Sequence, residues 1–441
     1  MKKTLYSALV LCATFFSSCN YLDVTPVGKV IPEYTEDFRA LMTSSYQKVP
    51  PYKKLVTLRT DELLLPTEWD WSYDTYFDLC IWNDATPNPK ATNYHYDEFY
   101  NSIFYANHII EEQSKIKDDG TEPIAQVVAE AYAMRAYLHF TLVNIYGQPY
   151  STETVNSKSI PLSLKIDIDQ QFPRALLGDV YTQINSDIAE AERRMQKQTQ
   201  PAPINYRFSK ESLQALKARV ALYQNNWEQA LVNSQSVLAM RPELEDLNDQ
   251  SAKAPYHFES KEAILALVEF VDMDIQDYQP ITEELVSKYN KEEDKRFSLY
   301  FRKSGSAYKV AKGARGPEKS EIRTAELYLI AAEAAAHLNK DAQAKEFLLA
   351  LTQKRLTPEF FTAESARVKA LNHDDLIREI ADERQRELAL EGHRWFDLRR
   401  TTRPRIVKTN GTTEFVLEQN DPKYTIRFPK SAVANNPLLK D

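Results

Sequence analysis

The chain is poor in glycine. It holds 9 in 441 residues, where a typical chain of that length carries about 30. Glycine supplies the positive φ that phosphate-cradling loops, tight hairpins and many β-rich folds need. No P-loop, dinucleotide fingerprint or G-x-S-x-G nucleophile turn occurs, so the enzyme classes built on them are excluded. Cysteine is rarer: Cys12, Cys19 and Cys80 are the only three. With the first two assigned to the N-terminus below, Cys80 stands alone, which rules out an intrachain disulfide and a thiolate zinc site. Leu79 and Ile81 on either side make it a small buried hydrophobe rather than a reactive thiol. The seven histidines include no H-E-x-x-H and no close pair. Asp272-Met273-Asp274 could hold calcium but lacks the loop glycine of a calcium site, and no metal or cofactor is expected. The formal charge is −8 with no basic block, which argues against nucleic acid as a partner. Beyond the N-terminus, no apolar run approaches the roughly 18 residues of a membrane span.

What is present begins with an export signal. Met1-Lys2-Lys3 is a short basic start, and Leu5 to Phe16 is an apolar run too short to cross a bilayer. Ser17-Ser18 then sets two small residues before Cys19. Residues 1–18 are read as a cleaved leader. The cysteine at the cut is similar to the acceptor of bacterial lipoprotein signals, so Cys19 is expected to carry the lipid of a mature chain 19–441. Two or three acyl chains, at about 0.8 kcal/mol per buried methylene, anchor stably where one does not.

The remaining sequence reads as helical, being rich in Ala, Leu, Glu, Gln and Lys. Apolar residues recur at helical spacing over 97–115, 123–146, 176–196, 209–224, 227–240, 320–338, 341–354 and 373–400. Long segments at 50–95, 147–173, 242–260 and 300–320 connect them, and loops of such length are usually functional or disordered. Ala218 and Ala230 lie 12 apart across a short break, as do Ala332 and Ala344. Small residues at those points let antiparallel helices approach closely, the pattern of tetratricopeptide pairs. The pairs at 97–146 and 176–224 would be degenerate members. The expected fold is mainly α. Helix pairs over roughly 97–240 and 320–400 form one curved scaffold, with irregular loops and minor strands between them.

Several stretches are similar to one family. They include Cys19-Asn20-Tyr21-Leu22-Asp23, Phe99-Tyr100-Asn101-Ser102-Ile103 through Asn107, and Ala129 to Phe140 running into Tyr146-Gly147-Gln148-Pro149-Tyr150. Further on come Glu326 to Ala334, Glu383-Arg384-Gln385-Arg386-Glu387-Leu388, Gly392 to Arg400, and Phe428-Pro429-Lys430 through Leu438. In these the chain resembles the SusD/RagB family of nutrient-binding outer-membrane lipoproteins. The resemblance implies a cell-surface protein, lipid-anchored in the outer membrane and not an enzyme. It would capture an oligosaccharide or peptide and deliver it to a SusC-like TonB-dependent transporter. It also implies that the last of these motifs forms a closing strand and tail.

Most of these motifs have a packing explanation. Arg135, Tyr137 and His139 sit on an amphipathic helix, where buried polar tips would tie helix to loop. His139 and His393 are read as satisfied structural groups. Glu383, Arg386, Glu387 and Arg394 suggest stacked ion pairs on one helix face, followed by Trp395 and Phe396 in the core. The ligand candidates lie in 60–96, where three of the five tryptophans fall within fourteen positions. Aromatic faces beside carboxylates and amides can stack on and orient sugars or peptide groups. Trp69, Asp70, Trp71, Tyr73, Asp74, Tyr76, Trp82 and Asn83 are the chosen residues. Trp69 and Trp71 flank Asp70 and would face one side of an extended segment. Two other functions are consistent with the sequence: an envelope scaffold that uses its repeats to bind proteins, and a glycoside hydrolase with Asp70 and Asp74 or Asp78 as its acids.

Overall fold

A computed structural model describes residues 32–66, 73–167, 171–313 and 318–440; Cys19, Trp69, Asp70 and Trp71 lie outside them. The spine is the helix Ile124–Tyr146, all but three of whose 23 residues are buried. Tyr96–Glu112 packs on one side of it and Leu177–Arg194 on the other. Arg135 fixes the second contact. Its Nε and Nη2 donate to Asp187 at 2.8 and 2.6 Å, while Nη1 donates to Asn107 at 2.9 Å.

The two pairs read from alanine spacing are present, and their connecting turns match. Lys210–Tyr223 pairs with Trp227–Met240, and Thr324–His337 pairs with Asp341–Thr352. Ala218, Ala230, Ala332 and Ala344 are fully buried. Asn225 lies seven residues after Ala218, and Asn339 lies seven after Ala332. Both adopt left-handed backbone, φ +55 and +58°, which asparagine tolerates better than most residues. Each turn closes with a bond back into the helix before it, Asn226 N to Ala221 O and Lys340 N to Ala335 O, at 2.9 and 2.8 Å. The pairs stack through Trp227–Met240 against Thr324–His337. One expected pairing changes: Leu177–Arg194 lies mainly against Ile124–Tyr146 rather than Lys210–Tyr223.

The long connections hold more order than expected. Thr35–Gln47, Tyr52–Thr57 and Tyr73–Cys80 are helices, and ten short strands form five separate two-stranded pieces among the described residues. Pro358–Ala370 escaped the periodicity because it buries only Val368, leaving little apolar pattern to detect. The segment 373–400 is two helices, His373–Glu387 and Arg394–Arg400. Gly392 breaks it at φ +77°, and an added Cβ there would sit 2.6 Å from the Lys53 side chain.

Buried charge holds the C-terminal half together. Glu387 accepts from Arg296 at 2.9 Å, Arg323 at 2.5 Å and Arg355 at 2.9 Å. Glu391 accepts from Lys312 at 2.7 Å and Arg323 at 3.0 Å, and Glu262 from Arg355 at 2.7 Å. Burial alone would raise the Glu387 carboxyl, yet the three guanidiniums hold it well below its ordinary range. The expected single-face stack is thereby corrected. Of those four residues, only Glu383 and Arg386 pair with each other, at 2.7 Å, while Arg394 reaches Asp61 at 2.6 Å. His139 departs from expectation too. It is fully buried and neither ring nitrogen has a hydrogen-bond partner among the described residues. Burial, then the nearby Arg135 charge, pushes its pKa down to about 3, so it is a neutral packing ring.

Candidate functional site

An open cleft of about 740 Å³ lies where three segments meet, within the usual range for small-ligand sites of roughly 300–1,000 Å³. The first wall is Ile81 to Ala85. The helix Tyr73–Cys80 ends there because Trp82 takes left-handed backbone, φ +59°. That conformation is uncommon for a bulky residue and costs on the order of 1–2 kcal/mol. Trp82 is fully buried, with its Nε1 donating to the Arg59 carbonyl at 3.0 Å and Lys408 over its ring. The turn delivers Asn83 and Asp84 to the cleft. Asn83 donates to Asp78 at 2.8 Å and to the Thr86 carbonyl at 3.0 Å. Asp84 accepts from buried Arg59 at 2.8 and 3.1 Å.

The second wall carries Tyr146, Gln148, Lys158 and Arg174. Arg399 secures the end of the spine helix by donating to the carbonyls of Asn144 and Gly147, and it also donates to that of Tyr424, at 2.8 Å. Arg174 donates to the Ser159 and Lys158 carbonyls at 2.9 and 3.0 Å and covers the Phe428 ring.

The third wall is the C-terminal segment 422–440. Tyr424 stacks on buried Trp395 with centroids 5.2 Å apart, and Phe428 stacks on Tyr146 at 5.0 Å. Ile426 N donates to the Ile145 carbonyl at 3.2 Å, and Asn436 donates to that of Phe172 at 2.8 Å. Instead of the expected closing strand, this segment is a short helix, Lys430–Asn435, flanked by two 3₁₀ turns. Prolines at 422, 429 and 437 lack the N–H a ladder needs.

The remaining sequence candidates divide. Trp82 and Asn83 border the cleft, but the Trp82 ring is committed to the core rather than offered to a ligand. Tyr76 is also buried, and its hydroxyl donates to Asp274 at 3.2 Å. Tyr73 is half-buried, stacked on Phe77 at 4.4 Å, and Phe77 meets Phe415 edge-on. Asp74 pairs with Lys90 at 2.7 Å on the surface. Tyr73 and Trp82 sit at opposite ends of a helix about 12 Å long, so Tyr73 stands apart from the cleft. Asp272 and Asp274 are used internally: Asp272 caps the helix Met273–Tyr278 and pairs with Lys54. Cys80 is buried, as read, and burial raises its thiol pKa. The cleft residues missed from sequence are Gln148, Lys158, Arg174 and the basic C-terminal segment. The signal was available: residues 422–440 hold Lys423, Arg427, Lys430 and Lys440 and no acid, in a chain of net charge −8.

Comparison with known proteins places this architecture. Residues 20–222 match a family described as starch-binding and associating with the outer membrane, and residues 216–435 match the SusD family. A SusD-like protein of Formosa agariphila is 25% identical, with 73% of this chain and 74% of that one covered. A SusD superfamily protein of Bacteroides thetaiotaomicron superposes with a TM-score of 0.78 at 17% identity, covering 92% of this chain and 98% of its own. A Bacteroides vulgatus protein named for sugar binding gives 0.74 at 21%, covering 93% and 98%. A laminarin-binding SusD-like protein gives 0.62 at 20%, covering 84% and 92%.

Proposed function

This chain is a member of the SusD/RagB family, and on that premise we propose that it captures an oligosaccharide without cleaving it and hands it to a TonB-dependent outer-membrane transporter. The observation that carries the reading is the cleft. Its amide and hydroxyl groups on Gln148 and Thr425 suit sugar hydroxyls. Among its described lining residues the one carboxylate, Asp84, is held by Arg59, whereas a glycosidase needs two carboxyl groups across the bond. Relatives named for sugar and laminarin binding support a glycan over a peptide. Transfer requires only a difference in affinity between the free and transporter-docked states. The helical side, where Val232 and Met240 are exposed, is the face offered to the barrel. Cys19 is the proposed lipid anchor. Trp69, Asp70 and Trp71 are proposed as a second contact.

Titration of the full chain against a glycan panel tests this. At least one oligosaccharide binds, and Val433→Trp, which fills the cleft, weakens it at least about tenfold. That loss corresponds to about 1.4 kcal/mol. An unchanged affinity would move the site elsewhere, to be sought with Trp69→Ala/Trp71→Ala. Absence of binding to every glycan would remove the capture role, and failure to co-purify with a barrel from native membranes would remove delivery.

A further inference from the structure

We propose that the cleft selects oligosaccharides bearing negative groups, carboxylate or sulfate, over neutral ones. This rests on the capture reading above and names the substrate class of that same site. The lining includes Lys158, Arg174, Lys423, Arg427, Lys430 and Lys440. The one described carboxylate facing them, Asp84, is already neutralised by Arg59 at 2.8 Å. Among the described residues, none of Lys158, Lys423, Arg427 and Lys430 has a carboxylate within ion-pair distance, whereas most other cations of the chain do. Such an imbalance in a chain of net charge −8 runs against its overall field. Clefts lined by one sign of charge focus potential and draw oppositely charged ligands.

The arrangement is also built rather than incidental. Arg174 is pinned by two carbonyls over Phe428, and Phe428 is stacked on Tyr146, so the guanidinium has a fixed position. A planar guanidinium suits carboxylate and sulfate oxygens better than a flexible ammonium does. Lys423 projects from the turn whose backbone carbonyl accepts from Arg59 at 3.0 Å, so the same arginine neutralises Asp84 and sets one edge of the basic rim. The Gln148 amide and the Thr425 hydroxyl, which line the same cleft, supply hydrogen bonds to hydroxyls, which a bare anion site would not need.

Calorimetric titration of the full chain with four probes of equal length tests this: a neutral laminari-oligosaccharide, an oligogalacturonate, a sulfated galactan oligosaccharide and oligoglutamate. Exposed ion pairs are individually weak, so several acting together are expected to favour one or both charged saccharides by about tenfold. The advantage disappears at about 1 M NaCl, where the Debye length is about 3 Å. It also disappears in K423Q/R427Q/K430Q, while the distant control K253Q keeps it. Whichever of uronate and sulfate binds tighter identifies the acid group. Neutral binding equal to charged binding overturns the charge selection and leaves capture standing. Oligoglutamate binding as tightly as the charged sugars overturns it too, since the cleft would then sense charge alone. No binding by any saccharide brings down the capture reading with it.

Discussion

Two charged regions of this molecule obey opposite rules. In the C-terminal core, Arg296, Arg323 and Arg355 converge on Glu387, and every one of these groups is at most 1% exposed. In the cleft, Lys158, Lys423, Arg427 and Lys430 are exposed and, among the described residues, stand without carboxylates. Burying a charge is tolerable only when partners replace its water. The core therefore spends its ionic interactions on holding helices in register, and the cleft leaves its cations hydrated and available. Pairing thus separates the scaffold charge from the charge proposed to meet ligand more sharply than residue type does, since arginine serves in both.

Four substitutions sharpen or break that distinction. The largest effect is expected at Glu387→Ala, which strips three buried guanidiniums of a shared partner. A loss of about 3–5 kcal/mol, read as the free energy of urea unfolding, is expected. A change under about 1 kcal/mol would mean the network is not what holds the C-terminal half.

Glu62 gives an intermediate case, a buried carboxyl with no guanidinium in direct contact. Burial, and then Asp61 beside it, raises its pKa from 4.5 to about 8. Between those values the native state holds a proton that the unfolded state has released. Stability contributed by this group is thus complete below about pH 4.5 and declines with rising pH, by at most about 1.4 kcal/mol per unit. Glu62→Gln fixes the neutral form. Its denaturation midpoint should match the parent near pH 5 and exceed it near pH 8, whereas parallel midpoints across that range would assign Glu62 an ordinary titration. The smallest effect is predicted in the cleft: Lys423→Gln and Lys430→Gln should alter stability by no more than about 0.5 kcal/mol.

The sequence revealed what is local and hid what is distant. Ala218 with Ala230, and Ala332 with Ala344, were readable because a helix pair and its turn are written within one short window. Glu383 and Glu387 were recognisable as ionic, but the guanidiniums they meet come from 296, 323 and 355. No helical period connects those positions. Aromatic density drew attention to 60–96, and Trp82 and Asn83 from that window border the cleft. It could not show that the Trp82 ring turns inward, because that depends on one left-handed residue at a helix end. The C-terminal wall was visible as a basic run without acids, a signal overlooked when that stretch was read as a closing strand. Pro358–Ala370 was invisible for a plainer reason: an almost wholly exposed helix carries no apolar stripe.

The most direct test of the account is hydrogen–deuterium exchange on the full chain with and without a saturating oligosaccharide. Ligand in the cleft predicts slowed exchange at the amides of 81–85 and 423–433. Protection restricted to the 67–78 segment, with the C-terminal wall unchanged, would contradict it.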